Sequence, residues 1–218
     1  MRILVINPNS NQAVTDAMAQ ALRPLAISGG PAIECVTLVD GPFGIESQAD
    51  VEAVILPLRK QVCEQHGADA FVIACYSDPG LQLCREATDK PVFGIQESGV
   101  LTALSQGDRF GVIALSDASI NRHLGYLRQM GVMERLANER AADLSVEQSA
   151  SGEGTFDRLC DVGRELRDRD GAQTIILGCA GMAAHRAALS AYLEIPVIDP
   201  VQAATAMAIG AVLLNAQH

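Results

Sequence analysis

Short apolar runs alternate with longer amphipathic segments along the whole chain. Each run is four to six residues long, and the segments between the runs carry apolar side chains at helical spacing. The clearest predicted helices cover residues 11–25, 48–66 and 156–169. Strands that are almost wholly apolar are typical of parallel sheets covered by helices on both faces, so the pattern predicts an α/β protein.

The same pattern occurs twice. Two of the apolar runs end in a cysteine, and these residues, Cys75 and Cys179, lie 104 positions apart. The opening strand at residues 2–6 is repeated at residues 109–113, at the similar offset of 107. A nearly constant offset indicates a duplicated unit. We therefore predict two pseudo-symmetric lobes, each with a mostly parallel four-stranded sheet flanked by helices.

The two repeated cysteines are the main candidates for chemistry. Ligands of open parallel sheets bind beyond the carboxyl ends of the strands, where both cysteines fall, so we expect an active site in the cleft between the lobes. A buried cysteine is otherwise a common packing residue, but packing gives no reason for cysteine at matching positions of both repeats. The remaining cysteines fit strand or helix patterns and are interpreted as packing residues: Cys35, Cys63, Cys84 and Cys160.

Composition excludes several partners and compartments. The chain has 218 residues, 49% of them hydrophobic and 19% charged, as in soluble globular enzymes. A net charge of −10 argues against nucleic acid or an anionic membrane as a partner. The first apolar run is too short for a signal peptide, and no run approaches the roughly 20 residues of a spanning helix. We expect a cytoplasmic homo-oligomer with reduced cysteines that acts on a small molecule.

Metal and cofactor chemistry is not indicated by the motifs. The sequence has no Cys-x-x-Cys, His-x-x-x-His or His-Glu-x-x-His element. Its two lysines, Lys60 and Lys90, are poorly placed for a Schiff base. We therefore expect no metal and no cofactor. A cysteine nucleophile paired with histidine is an alternative, because His185 follows Cys179 by six residues, although that spacing points to a different helix face.

Two thiols that face one bound molecule have a specific use. Inversion of a stereocentre with an acidic hydrogen needs a base on one face and an acid on the other. A thiol with an ordinary pKa near 8.5 needs only a modest shift for this work. Each cysteine lies at a strand-to-helix junction, where free N–H groups favour a thiolate and offer an oxyanion hole. The donors would come from residues 76–78 and 180–182, while Asp78 and Pro79 are interpreted as a helix cap and a first-turn proline.

Five motifs together carry a family resemblance. They are Asn-Pro-Asn-Ser at 7–10, Gly-Pro-Phe-Gly-Ile-Glu at 41–46, Cys-Tyr-Ser-Asp-Pro-Gly at 75–80, Pro-Val-Phe-Gly-Ile at 91–95 and Gly-Cys-Ala-Gly-Met at 178–182. The chain resembles the aspartate/glutamate/hydantoin racemase superfamily, and most of all its hydantoin and allantoin racemase branch. The resemblance implies a cofactor-independent racemase whose catalytic residues are Cys75 and Cys179.

The same resemblance implies how the chain is divided between the lobes. The first lobe would contain residues 1–97 plus 201–218, and the second lobe residues 98–200. The final helix, at about 201–216, would pack back on the first lobe.

The substrate is predicted from the residues around the strand ends. Aspartate and glutamate racemases usually have threonine after each cysteine, where this chain has Tyr76 and Ala180. The strand-end loops also lack the cationic residues that a dicarboxylate requires. Neutral groups suit an uncharged cyclic ureide, such as a 5-substituted hydantoin or allantoin. The predicted substrate-binding residues are Asn9, Phe43, Tyr76, Ser77, Ser116, Ala180, Gly181 and Met182.

Three alternatives remain open. One is an aspartate/glutamate-type amino-acid racemase, another is a maleate-type isomerase of the same fold, and the third is a non-catalytic binding module with inert cysteines. The chain also departs from the hydantoin branch at Ser98-Gly99, where two alanines usually follow the glutamate that corresponds to Glu97. A position of Glu97 or Ser98 in the pocket would alter the substrate preference.

Overall fold

In the part of the chain that the structure describes, eight strands form two parallel four-stranded sheets with the same strand order. The computed structural model describes residues 1–151 and 153–215, so the predictions for residues 216–218 lie outside it. In the first sheet the order is β2-β1-β3-β4, with β1 Arg2–Asn7, β2 Ala32–Thr37, β3 Ala70–Ile73 and β4 Val92–Gly94. In the second the order is β6-β5-β7-β8, with β5 Phe110–Ala114, β6 Leu136–Ala141, β7 Thr174–Leu177 and β8 Val197–Ile198. The predicted α/β architecture with two parallel sheets is confirmed.

The central strands show why apolar runs form these sheets. In β1, Ile3 pairs with Ile33 on one side and with Ala70 on the other, and its neighbours alternate between two cores. Ile3 and Val5 belong to a large core that contains residues of both sheets. Leu4 and Ile6 belong to a smaller core that involves the first sheet only. A strand that is buried on both faces needs apolar side chains at every position.

Ten α-helices connect and cover the strands. They are α1 Gln12–Leu22, α2 Gln48–Ala53, α3 Ile55–Glu64, α4 Leu81–Glu86, α5 Ile95–Leu104, α6 Asp117–Met130, α7 Val146–Ser151, α8 Thr155–Asp168, α9 Arg186–Leu193 and α10 Pro200–Asn215 among the described residues. Short 3₁₀ helices cover Arg23–Leu25, Met133–Arg135 and Ala180–His185. The predicted helix at 48–66 is broken at Val54. Pro57 causes the break, because it has no N–H to donate to the carbonyl of Ala53.

The last helix lies against the first sheet. Helix α10 packs on β3 and β4 and also on α5 and α1. The exact division into residues 1–97 plus 201–218 and 98–200 stays a prediction. Within residues 1–151 and 153–215, no helix is long and apolar enough to cross a membrane.

Candidate active site

The two repeated cysteines line one small cavity at the carboxyl ends of the sheets. Cys75 lies two residues beyond β3 and Cys179 two residues beyond β7. The cavity they share has a volume of about 90 Å³. A single water needs about 10–15 Å³, and drug-sized ligands occupy pockets of about 300–1,000 Å³, so the cavity suits a small molecule. Five predicted binding residues also line it: Asn9, Tyr76, Ser77, Ser116 and Ala180.

Three predicted binding residues do not line the cavity. Phe43 is 62% exposed and lies outside it, whereas Ile45 and Glu46 of the same loop after β2 line the cavity. Met182 is fully buried in the large core. Gly181 lies against α7, where an added Cβ would come within 2.5 Å of Ser149 Oγ.

Glu97 and Ser98 are also outside the cavity wall. The Glu97 carboxylate accepts hydrogen bonds from Arg85 and from the Tyr126 hydroxyl, at 2.6 and 2.7 Å. Ser98 is buried in α5 with 1% of its surface exposed. The departure from the branch pattern at these positions therefore does not alter the cavity wall directly.

A backbone N–H two positions later acts on each cysteine sulfur. The Gly181 N–H donates to Cys179 Sγ at 3.4 Å, and the backbone of Ser77 lowers the pKa of Cys75 from the equivalent position. These bonds lower the pKa of the thiols, but burial has the larger effect. Burial raises the pKa of Cys75 to about 12 and raises that of Cys179 as well. The sequence predicted a favoured thiolate, and the enclosed cavity reverses that expectation because it removes water from the charged form.

The six N–H groups predicted as oxyanion donors divide into three pairs. Those of Ser77 and Gly181 are directed to the sulfurs. The N–H of Asp78 donates to the Cys75 carbonyl and that of Met182 to the Cys179 carbonyl, and each bond closes a turn. Within the described part of the chain, the N–H groups of Tyr76 and Ala180 make no hydrogen bond. Each lobe therefore retains one free N–H donor next to its cysteine, and a substrate oxygen can accept a hydrogen bond from it.

A serine from α7 contacts the second thiol. Ser149 Oγ lies 3.4 Å from Cys179 Sγ and donates its own hydrogen to the Val146 carbonyl at 2.7 Å. A hydroxyl has one hydrogen, so the neutral thiol is the donor of the Cys179–Ser149 bond. If Cys179 ionises, rotation of the Ser149 hydroxyl would direct its hydrogen to the thiolate sulfur. This bond lowers the pKa of Cys179 against the effect of burial.

We predict that Ser149→Ala slows alkylation of Cys179 by iodoacetamide at pH 8 by about fivefold. Loss of a hydrogen bond of about 1 kcal/mol raises the pKa of the thiol by about 0.7 unit and lowers the thiolate fraction in proportion. Mass spectrometry of the digested protein would give the rate for Cys179 separately from the other cysteines. The matched control is Ser190→Ala, because Ser190 also donates to a backbone carbonyl, that of Ile195, but lies away from the cavity. An unchanged rate for Ser149→Ala across the pH range would refute the assignment.

A buried carboxyl lies near each thiol, in both cases at the start of a helix. Asp78 Oδ1 and Oδ2 accept the N–H groups of Gln96 and Glu97 at 2.9 Å each, so Asp78 caps α5 and not its own helix as the sequence predicted. Asp199 accepts the N–H of Val201 at the start of α10, also at 2.9 Å. Burial raises the pKa of Asp78 to about 7 and that of Asp199 to about 6. Negative charge on either group raises the pKa of the adjacent thiol.

The cavity is also lined by four polar residues that were not predicted from the sequence. They are Glu46, Ser119, Arg122 and His123. Arg122 corrects the expectation of a site without cations: its Nε is buried without a partner, and its Nη1 donates to the Ala118 carbonyl at 3.1 Å. The missed signal was helical spacing, since Ser116, Ser119 and His123 lie at i, i+3 and i+7 and share one face of α6.

His185, the histidine of the alternative cysteine–histidine pair, is not in the cavity wall. Its ring stacks on Phe156, with ring centroids 6.1 Å apart. The structure therefore does not bring His185 and Cys179 together in the cavity. Within residues 1–151 and 153–215, no group of three or more His, Cys, Asp or Glu side chains is arranged to hold a metal.

Comparison with known proteins gives matches over nearly the whole chain. Residues 3–208 match the family described as Asp/Glu/Hydantoin racemase. The chain is 36% identical to the hydantoin racemase of Paenarthrobacter aurescens, over 100% of this chain and 93% of that protein. It is 38% identical to the hydantoin racemase of Pseudomonas sp. (strain NS671), over 93% of this chain and 82% of that protein.

A solved structure agrees with these matches. The allantoin racemase from Klebsiella pneumoniae superposes on this chain with a TM-score of 0.92 at 32% identity, over 99% of this chain and 89% of that one. The predicted resemblance is therefore confirmed at the level of both sequence and fold. This chain belongs to the Asp/Glu/hydantoin racemase family.

Proposed function

We propose that the protein is a cofactor-independent racemase of hydantoin- or allantoin-type cyclic ureides. Its family and its similarity to hydantoin racemases support an isomerase of this substrate class. The observation that carries the mechanism is the placement of Cys75 and Cys179 at equivalent strand ends around one small cavity.

In this mechanism one thiolate removes the proton from the carbon beside the ring carbonyl. The electron pair of the broken C–H bond moves onto the carbonyl oxygen and forms an enolate. The thiol of the other lobe then returns a proton to the opposite face, and the roles are exchanged for the reverse reaction. The free N–H groups of Tyr76 and Ala180 are positioned beside the thiols to stabilise the oxyanion.

The raised thiol pKa values suit this work in one respect. A thiolate whose pKa is raised by burial is a stronger base than one in water, which matters for a weakly acidic C–H group. The cost is that few molecules hold a thiolate at neutral pH. The rate should therefore rise with pH from 7 to 9, since the raised pKa of Cys75, about 12, keeps ionisation incomplete throughout that interval.

A panel assay in D₂O tests the proposal. Both enantiomers of 5-methylhydantoin, 5-benzylhydantoin, allantoin, aspartate and glutamate would be incubated with the protein. We expect deuterium at C5 of the ureides together with loss of optical rotation, and neither change with the amino acids. Turnover of aspartate or glutamate alone would replace the proposal by the amino-acid racemase. Cysteines that a ureide protects from iodoacetamide without any exchange would indicate a binding module.

Arg122 is the one observation that favours a charged substrate. Its guanidinium is the only Lys or Arg side chain in the cavity wall among the described residues. A carboxylate on the substrate would give it a partner, as the amino-acid racemase requires and as a ureide with an acidic substituent also provides. The loss of a hydrogen bond between charged groups costs about 1.5–3 kcal/mol.

We predict that Arg122→Gln lowers kcat/KM for 5-carboxymethylhydantoin by roughly 10- to 100-fold, the equivalent of that cost. The same variant should change kcat/KM for 5-methylhydantoin less than about threefold, because that substrate has no charge to pair. Arg128→Gln is the control, since Arg128 lies on the same helix and is exposed. An equal loss for both substrates would show that Arg122 supports the fold of the site and not the recognition of a carboxylate.

A further inference from the structure

A buried histidine–glutamate pair reaches the cavity wall through His123, and the two-thiol mechanism does not use it. His123 on α6 is 2% exposed and Glu139 on β6 is 6% exposed. His123 Nδ1 lies 2.5 Å from Glu139 Oε1, so one proton is held between the two atoms. The second carboxylate oxygen, Glu139 Oε2, is buried with no partner.

The orientation of the imidazole is fixed on several sides. Its Nδ1 edge faces Glu139, and the Tyr76 ring packs on it edge-on, with centroids 4.9 Å apart at 82°. Gln96 Nε2 donates to the His123 backbone carbonyl at 3.2 Å. Because His123 also lines the cavity, the opposite edge with Nε2 is the one left to face a ligand.

The protonation state of the pair decides whether His123 Nε2 is a hydrogen-bond donor or an acceptor toward that ligand. Burial disfavours a net charge, so the pair is most stable as imidazolium with carboxylate or as imidazole with carboxylic acid. In the first form both ring nitrogens carry hydrogen. In the second the acid donates to Nδ1, which leaves the hydrogen on Nε2. In both neutral forms Nε2–H is therefore a hydrogen-bond donor.

The His123 imidazole is paired with Glu139 and not with a thiol. Its Nδ1 lies against Glu139 Oε1, and Cys179 Sγ accepts from the Gly181 N–H. A donor in the cavity wall that is not bonded to a thiol is free to interact with the substrate. The backbone supplies one such donor in each lobe, so a side-chain donor adds to an incomplete set.

We propose that His123 is a catalytic residue whose Nε2–H donates to the carbonyl oxygen beside the stereocentre, and that Glu139 is its positioning residue. The inference rests on the proposed racemisation. When the thiolate takes the C5 proton, the electron pair of that bond moves to the carbonyl oxygen, and the hydrogen bond from Nε2 strengthens as the oxygen becomes negative. No atom is transferred from His123.

The double variant His123→Leu/Glu139→Leu tests this role. Replacement of a buried ion pair by apolar residues is often neutral for stability, so this variant removes the donor without leaving a lone buried charge. With 5-methylhydantoin we expect kcat to fall by roughly 10²- to 10³-fold and KM to change little. In His123→Gln/Glu139→Gln the amide introduced on α6 would again present an N–H to the cavity. That variant should recover at least tenfold of the lost kcat.

Several outcomes would overturn the inference. The inference fails if the double variant His123→Leu/Glu139→Leu has a wild-type kcat. It also fails if the variant changes only KM, because that would indicate a role in binding alone. Equal loss in the glutamine pair and the leucine pair would indicate a structural role. If the leucine pair fails to fold, the glutamine pair and the following measurement decide.

A measurement on the wild-type protein separates this inference from the proposed function. Unsubstituted hydantoin would be added while the ¹⁵N signal of His123 Nε2 is followed by NMR, which needs no turnover. A shift of that signal at saturation supports donation from Nε2 to the ligand even if no ureide is racemised. In that case the proposed function and the catalytic role of His123 both fail, and only the contact between Nε2 and the ligand stands. Bound hydantoin without a shift of Nε2 overturns the inference while racemisation stands. Absence of binding overturns both.

Discussion

Cys75→Ala and Cys179→Ala are each expected to lower kcat for racemisation of 5-substituted hydantoins by at least about 10³-fold. General acid–base catalysis by one positioned group contributes roughly 10²- to 10⁴-fold, and racemisation needs a group on each face of the stereocentre. Loss of either thiol leaves one face without a proton donor or acceptor. The two variants should therefore be similarly inactive, although the cysteines come from different lobes.

Proton exchange distinguishes this mechanism from a simple loss of the site. Each single variant retains one base, so it should still exchange the C5 proton of one enantiomer for deuterium without inverting it. The two variants should prefer opposite enantiomers. Polarimetry would follow inversion and ¹H NMR would follow exchange in the same D₂O sample.

The matched control is Cys160→Ala. Cys160 lies on α8, is 6% exposed and packs in the large core, away from the cavity. This variant should turn over within about threefold of the wild type, with a small loss of stability from the missing side-chain volume. If Cys160→Ala were as inactive as the cavity variants while still folded, or if both cavity variants exchanged the same enantiomer, the two-thiol assignment would be refuted.

The repeat and the position of the cysteines were predictable because both are local properties. Apolar runs of four to six residues specify buried parallel strands, and the residue after such a run must lie at the carboxyl edge of its sheet. Cys75 and Cys179 could therefore be placed in one cleft from the sequence alone. The same reasoning placed Asn9 and Ser116 at corresponding strand ends, where both line the cavity.

The electrostatics of the site could not be predicted in this way, because they depend on which groups meet across the fold. His123 and Glu139 lie on α6 and β6, and only the packing of that helix on its sheet makes them a pair. The pKa values of the two thiols also depend on tertiary packing. Free N–H groups at a strand-to-helix junction predict a lowered pKa, but closure of the cavity removes water and raises the pKa instead.

Asp78 is a further case of tertiary structure overriding a local signal. Asp-Pro before a helix is typical of a cap on that helix. Here Asp78 has a positive φ of 42°, and its carboxylate is directed away to the start of α5. The partner N–H groups lie 18 and 19 residues later, beyond the range of any capping motif. This arrangement connects the Cys75 loop to the next strand–helix junction.

Gly94→Ala is expected to disrupt that connection and to lower both stability and activity. A Cβ on Gly94 would lie 2.3 Å from the Asp78 carboxyl group, which is buried and has little room to move. We expect the free energy of unfolding in urea to fall by about 2–3 kcal/mol, as for other overpacked sites. Activity should fall at least tenfold, since Asp78 and Cys75 share one turn and small misplacements of a catalytic group are costly.

Gly125→Ala is the control, because Gly125 is also helical but has no atom within 4 Å of its added Cβ. That substitution should raise stability by about 0.5–1 kcal/mol and leave activity unchanged, since alanine is the better helix former. Opposite signs for the two Gly→Ala changes would exclude a general effect of removing glycine.

A double-mutant cycle then identifies the cause of the Gly94 effect. Asp78→Ala alone should destabilise the protein, because the Gln96 and Glu97 N–H groups lose their acceptors. In Asp78→Ala the space beside Gly94 is vacated, so adding Gly94→Ala should cost little more. The two effects are therefore expected to be strongly non-additive, by about 1–3 kcal/mol. Additive losses would mean that Gly94 is required for a reason other than contact with the Asp78 carboxylate.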